Sequence, residues 1–288
     1  MVSTWLNRTE GPVFMLDIVN LKFSDLEKKL DPVKDEYMRS LKTGWYNNPQ
    51  SNISHGDFVR KASEWFLSTK LNSLHGVDKF PCVDVIMGCT HFIESFVSKN
   101  KWNIQILEKE YAYYSLMGKR HTEIGNLIPN VPLIISIPNY YYGNRPKWTD
   151  VLSECEQKNI DIHIDCAWLT AAKGFSINFD HPNIKSFAMS MSKYNMSWNR
   201  IGLRWSRQRT MDSCTLISAQ RKYNELTSAC GFFMMDNLPR DYGWRKYGDV
   251  VEKICKKLDV EPTMFFYLVK DKSENLYSIG KILSQLKL

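Results

Sequence analysis

Short apolar runs alternate with helical patterns from Val83 to Arg204, and this alternation constrains the fold more than any other feature of the chain. Val83–Met87, Trp102–Leu107, Pro132–Pro138, Ile160–Ile164, Ile184–Met189 and Ile201–Trp205 read as buried strands. His91–Ser98 and Thr149–Gln157 between them carry helical spacing, with Thr149 placed to cap the second. Strand–helix alternation of this kind predicts an α/β fold with a mostly parallel sheet flanked by helices. Functional loops in such a sheet gather at the carboxyl ends of the strands. Gly88, Tyr113, Asn139, Asp165 and Lys193 all fall at or just beyond such ends.

The chemistry of those ends is specific. The run Ile184–Met189 stops at Ser190-Met191-Ser192-Lys193, and Arg200 precedes the next apolar run. Desolvation at the end of a buried strand disfavours an ammonium and so lowers a lysine's pKa. Such a lysine is a nucleophilic amine that condenses with carbonyls. Ser190 and Arg200 flank it with a hydroxyl and a permanent cation, a pair suited to phosphate. The bland alternative is two strands joined by a turn with an exposed lysine. Upstream, Gly88-Cys89-Thr90 joins a strand to a helix. A turn of that type presents free N–H groups and the positive end of a helix dipole to an anion.

Composition sets the class. The 288 residues can bury a sizeable core, and 43% hydrophobic with 24% charged residues is ordinary for a soluble globular chain. The formal charge of +7 is spread without an arginine-rich run or nucleic-acid motif. Seven cysteines lack any CxxC pair, which fits buried thiols of a reducing compartment and neither a disulfide framework nor a metal site. MVSTWLNRTEGPVF lacks the charged start and apolar core of a signal peptide. No apolar run approaches the roughly 18 residues of a membrane span, so a cytoplasmic protein is expected. Further helices are expected at Phe23–Leu41, His55–Leu74, Gln220–Cys230 and Val250–Leu258, with an aromatic loop at Gly44–Pro49.

These residues resemble the fold-type I pyridoxal-phosphate enzymes of the class I/II aminotransferase kind. Asp165-Cys166-Ala167-Trp168 resembles that family's D-x-A-Y. Ser190-Met191-Ser192-Lys193 with Arg200-Ile201-Gly202 resembles its S-x-S-K…R-x-G, and Gly88-Cys89-Thr90 its G-x-T phosphate turn. Tyr111-Ala112-Tyr113 falls where the family has an aromatic that stacks on the cofactor. The resemblance runs from about Gly44 to Ser206. It implies a pyridoxal 5'-phosphate cofactor, with Lys193 as the Schiff-base amine that later moves protons. Asp165 would keep the ring nitrogen protonated, as an electron sink requires. Gly88, Cys89, Thr90, Ser190, Ser192 and Arg200 would hold the phosphate, Tyr113 would cover the ring, and Trp168 would stand at the ring-oxygen position. Tyr46 is a candidate for the tyrosine that reaches a partner subunit, alongside ordinary aromatic packing. A homodimer is likewise implied.

The chain departs from the family in places. Arg200 lies seven residues after Lys193, one fewer than the usual spacing, and no glycine stands between them. Trp168 replaces a tyrosine. The family's asparagine–proline loop is replaced by Ile137–Gly143; counting back from Gly143 selects Tyr140 for the oxygen contact, whereas chemistry selects Asn139. Of the 288 residues only 88 follow Arg200, so a reduced C-terminal part is expected, without the usual arginine clamp for a substrate carboxylate. Arg240 and Arg245 are the alternatives for that clamp. The expected organisation is an N-terminal segment (1–43), a cofactor-binding large domain (44–235) and a reduced C-terminal domain (236–288). Amino transfer between an amine or amino acid and a carbonyl compound leads. Decarboxylation or elimination on the same fold, and a non-catalytic binding protein, are the alternatives.

Overall fold

The strand–helix alternation is present in the computed structural model, which describes residues 54–108, 110–117, 120–139, 148–193 and 200–279. The elements run α1 (His55–Leu67), β1 (Ser73–His75), β2 (Cys82–Ile86), α2 (Gly88–Lys99), β3 (Gln105–Leu107), α3 (Ala112–Met117), β4 (Arg120–Thr122), β5 (Leu133–Ser136), α4 (Trp148–Gln157) and β6 (Ile162–Asp165). They continue as β7 (Ser176–Asn178), β8 (Ile184–Ser190), β9 (Gly202–Ser206), α5 (Ser213–Ala219), α6 (Glu225–Asn237), α7 (Tyr242–Leu258), β10 (Glu261–Pro262), β11 (Leu268–Lys270) and β12 (Leu276–Ser278). The expected helix Phe23–Leu41, the loop Gly44–Pro49 with Tyr46, and Tyr140–Gly143 lie outside the described residues.

Seven strands form one sheet in the order β2-β9-β8-β6-β5-β3-β4. Six of them point the same way, and β9 runs antiparallel to both its neighbours. Alternate side chains go to opposite faces, and each face has its own core. On one face Ile135, Ile164, Phe187, Met189 and Leu203 pack with Phe58 and Phe66 of α1, Val151 of α4 and Met234 of α6. On the other, Ile86, Ile106, Ile134 and Ala188 pack with Phe92, Ile93, Phe96 and Val97 of α2. Tyr114 of α3 belongs to this second cluster. Behind this three-layer body, α7 covers the small antiparallel sheet β10-β11-β12 through Tyr247, Val251 and Ile254.

Several boundaries differ from expectation for local reasons. The helix expected to reach Leu74 ends at Leu67, because the Ser68 hydroxyl and backbone N–H both turn back to the Trp65 carbonyl. The residues beyond it instead pair in parallel with β7. Thr149 lies inside α4, since Trp148 is already helical. The expected Gln220–Cys230 helix is split: Arg221 adopts φ 53°, and the Asn224 side chain caps a new helix by accepting from Thr227 N at 3.1 Å. α7 starts at Tyr242, well before Val250. Among the described residues no helix is long and apolar enough to cross a membrane. All seven cysteines are free thiols.

Candidate active site

Strand direction brings the candidate residues to one edge. β2, β5, β6 and β8 end there, at Ile86, Ser136, Asp165 and Ser190. Because β9 is antiparallel, it begins at that same edge, with Gly202 paired to both Ser190 and Ile86. Glycine is required at 202, since a Cβ there would sit 2.1 Å from the Met189 carbonyl oxygen. Gly88 opens α2 with φ 75°, and a Cβ there would come within 3.0 Å of Arg200 Cβ. This close approach lets Arg200 Nη1 donate to Thr90 Oγ1 at 2.7 Å. A cation and a hydroxyl thus stand together at the first turn of a helix, where backbone N–H groups lack helical partners.

Asp165 is buried one strand over. Its Oδ1 accepts from the Ala167 N–H at 2.8 Å and its Oδ2 from the Tyr114 hydroxyl at 3.0 Å. Tyr114 in turn lies 2.9 Å from Ser136 Oγ, and Ser136 is the register partner of Asp165 on β5. Burial raises the carboxyl pKa, while the Ala167 N–H, Cys89, Tyr114 and the Lys193 charge work against that rise. The same burial pushes the Tyr114 phenol and the Cys89 thiol well above their ordinary values.

Lys193 closes the turn after β8. Its Nζ lies 4.1 Å from the centre of the Trp168 ring, a cation–π arrangement. Burial lowers its pKa; Asp165 opposes that shift and Arg200 reinforces it. Trp168 is held from behind by Phe265 and Tyr267, at ring distances of 5.8 and 5.3 Å, so the C-terminal part shapes the site. Ser190 and Ser192 share a hydrogen bond of 2.7 Å beneath the lysine. Asp165, Lys193, Trp168, Ser192, Cys89, Thr90 and Arg200 all line one cavity of about 180 Å³.

Other candidates lie elsewhere. Tyr111 lines the cavity, whereas Tyr113 does not; the Tyr113 hydroxyl donates to Glu94 at 2.5 Å. Burial, then Glu94, raises the Tyr113 phenol to about 12. Asn139 is buried after the cis Ile137–Pro138 peptide and is not part of the lining, and Tyr140 lies outside the described residues. Arg240 is buried with its guanidinium on the Leu169 and Thr170 carbonyls, and Arg245 is exposed on α7; neither lines the cavity. Sequence reasoning missed Ser136 and the role of Tyr114. The available signal was a single hydroxyl ending the apolar strand Leu133–Ser136. Among the described residues no group of His, Cys, Asp or Glu is placed to hold a metal ion.

No protein-family model matches the chain, and no curated protein matches it by sequence. Solved structures do match. Alanine aminotransferase from Pyrococcus furiosus is 15% identical with a TM-score of 0.55, over 82% of this chain and 71% of that one. A NifS-like protein from Rickettsia africae is 13% identical with a TM-score of 0.55, over 84% and 79%. L-threonine-O-3-phosphate decarboxylase from Porphyromonas gingivalis is 14% identical with a TM-score of 0.51, over 90% and 81%. At these identities the likeness is one of fold, and the chain has the fold-type I architecture of the aminotransferases, a mostly parallel sheet flanked by helices.

Proposed function

We propose that this chain is a pyridoxal-phosphate-dependent enzyme, acting as a homodimer, that transfers an amino group between an amine or amino acid and a carbonyl compound. The observation that carries this reading is the meeting of Asp165 and Lys193 in one small cavity, with the Arg200–Thr90 pair at its rim. The donor set fits the cofactor: a cation, hydroxyls and helix-end N–H groups for a phosphate, a buried carboxylate for a ring nitrogen, and a desolvated amine for an aldehyde.

In this reading Thr90, Arg200, Ser192 and the N–H groups after Gly88 would hold the phosphate, while Ser190, fully buried and outside the cavity lining, supports Ser192 through their shared hydrogen bond. Bound pyridoxal phosphate supplies an electron sink for negative charge developing at a substrate carbon. Asp165 would hold a proton at the ring nitrogen, and its own bonds from Tyr114 and Ala167 fix where its oxygens point. Lys193 would supply the amine that holds the cofactor's aldehyde carbon and would move a proton at the substrate carbon. Relative to an exposed lysine, its lowered pKa favours the neutral amine, the form that accepts a proton. Trp168 and Tyr111 line the cavity with aromatic rings. A second reading, decarboxylation or another cleavage at the same carbon, is favoured by the likeness to the threonine-phosphate decarboxylase, which spans 90% of this chain.

Borohydride reduction of the protein loaded with cofactor, followed by peptide mapping, tests the reading. A pyridoxyl adduct is expected on the peptide holding Lys193, and Lys193→Ala should hold cofactor noncovalently yet lose turnover. An adduct on Lys173 or Lys185 would sink the assignment. Product analysis with a panel of amines and amino acids then separates transfer from decarboxylation.

A further inference from the structure

Two residues along the strands from the level of Asp165, the α2 face of the sheet carries a row of polar side chains. His163, Ser186 and Ser206 occupy directly paired positions on β6, β8 and β9. His163 Nδ1 and Ser186 Oγ are hydrogen-bonded at 2.7 Å. Ser206 is 3% exposed, and its hydroxyl meets no hydrogen-bond partner among the described residues. All three line a cavity of about 650 Å³, more than three times the 180 Å³ of the candidate active site and separate from it. That volume falls in the range of roughly 300–1,000 Å³ typical of small-molecule sites.

The walls define the chemistry. Four cations (Lys99, Lys185, Arg204 and Arg207) face two carboxylates, Asp161 and Asp212. Arg204 is already committed to Asp84 and Asp212, and Arg207 to the carbonyls of Phe179, His181 and Ile184. The other two charges are the ammonium groups of Lys99 and Lys185. Lys185 Nζ donates to the Pro182 carbonyl at 2.9 Å and lies 3.4 Å from Asp161, and an ammonium carries three donors, so one remains for a ligand. Phe92 and Phe96 supply an apolar side, with the Phe96 ring 4.4 Å from that of His163. The surplus of positive charge registers on His163: burial first, then Lys99, Arg204 and Lys185, push its pKa down to about 3.

We propose that this cavity is a second binding site, for a phosphorylated small molecule. Lys99, Lys185 and Ser206 take the phosphate, and Phe92 and Phe96 pack against the organic part. Ammonium groups act as point charges suited to phosphate, whereas planar bidentate recognition of a carboxylate calls for a guanidinium. Here both guanidinium groups in the cavity are occupied. A buried hydroxyl without a partner destabilises the empty protein, and Ser206 lies in the wall of this cavity, where a ligand oxygen can supply that partner. The inference does not depend on the proposed cofactor, because no residue of this cavity lines the other.

Calorimetric titration of the purified protein without added pyridoxal phosphate tests it, using AMP and ribose 5-phosphate as probes and citrate as the carboxylate comparison. One molecule of at least one phosphorylated probe should bind per chain. Ser206→Ala and Lys185→Gln should each weaken binding about tenfold, while Thr90→Val leaves it unchanged. Ser206→Ala should keep or raise the melting temperature, which shows that the hydroxyl serves a ligand and not the fold. Absence of saturable binding by both probes at millimolar concentration overturns the proposal. So does citrate binding as tightly as the phosphorylated probes. Loss of binding in Thr90→Val, with retention in Ser206→Ala, would put the phosphate in the candidate active site instead.

Discussion

Tyr114 Oη stands 3.0 Å from Asp165 Oδ2, a buried phenol donating to a buried carboxylate. The same oxygen accepts from Ser136, so α3, β5 and β6 meet in one hydrogen-bonded chain. A buried acceptor left without its donor bears the full cost of desolvation. The network therefore couples the stability of the fold to the orientation of the residue that faces the proposed cofactor nitrogen.

Tyr114→Phe should cost about 1–3 kcal/mol in denaturant unfolding, because it strips partners from both Asp165 and Ser136. Turnover should fall more than cofactor binding, since Asp165 matters most where negative charge develops. Asp165→Ala should show the same split more strongly. Unchanged unfolding midpoint and turnover in Tyr114→Phe would mean that the carboxylate does not rely on the phenol.

Lys193 gives a prediction in pH. Burial holds its folded pKa below the ordinary value of 10.5. Between those two values the unfolded chain binds a proton that the folded chain lacks, so stability of the cofactor-free protein rises with pH across that window. Below the folded pKa the lysine is charged in both states and its desolvation penalty is present in full. Lys193→Met should therefore raise the melting temperature of cofactor-free protein at neutral pH and flatten its rise toward alkaline pH. A variant less stable than the parent at pH 7 would contradict this account.

The sheet was legible because its strands are short, apolar and separated by helical spacing; Val83–Met87 and Ile184–Met189 needed no tertiary information. Asp165 ends such a run, and Lys193 and Thr90 follow one within three or four residues, so the sequence already places all three at one sheet edge, where they line one cavity. The Tyr111–Tyr114 cluster was not. Three tyrosines on one turn can be sorted only when α3 is docked, which sends Tyr114 to Asp165 and Tyr113 to Glu94 and leaves Tyr111 at the cavity. The row His163–Ser186–Ser206 was invisible for a similar reason, since it exists only through strand register. The break after Gln220 depends on the left-handed Arg221 and on an asparagine cap, both inside a pattern that reads as continuous helix.

Arg204 on β9 ties the edge strand β2 to the start of α5, in the wall of the larger cavity. Its Nη2 lies 2.6 Å from Asp84 Oδ2 and its Nη1 2.6 Å from Asp212 Oδ2, with all three side chains buried. Thr215 Oγ1 joins the cluster at 2.8 Å from Nη2. Arg204→Leu would leave two carboxylates buried without their cation, and unfolding free energy should drop by about 3–5 kcal/mol. Burial alone would raise the Asp212 pKa, but bonding to Arg204 outweighs it and the net shift is downward. That part of the stability is present above the ordinary carboxyl range and is lost as pH falls through the lowered folded value. Arg204→Leu should accordingly show a shallower loss of stability toward acid than the parent. A change under about 1 kcal/mol would place the pair among ion pairs of little net worth.

Arg240 and Arg245 are the two arginines the sequence offers as a carboxylate clamp, and their surroundings separate them. Arg240 donates from Nη2 to the Leu169 carbonyl at 2.7 Å and from Nη1 to the Thr170 carbonyl at 3.0 Å. Trp244 Nε1 adds a bond to the next carbonyl, Ala171, at 3.0 Å. These three carbonyls belong to the turn that follows Trp168, so the two side chains staple the segment that carries the indole beside Lys193. Arg240→Ala should therefore lower stability by about 1–3 kcal/mol through uncapped buried carbonyls. The relative turnover of an amino acid and its matching amine should stay where it is in the parent. Arg245→Ala, at an exposed helix position, should stay within about 0.5 kcal/mol of the parent with the same substrate ratio. The decisive measurement is that ratio in both variants beside their melting temperatures. Arg240→Ala with an unchanged melting temperature and a lost preference for the amino acid would make Arg240 a substrate ligand and refute its role as a staple.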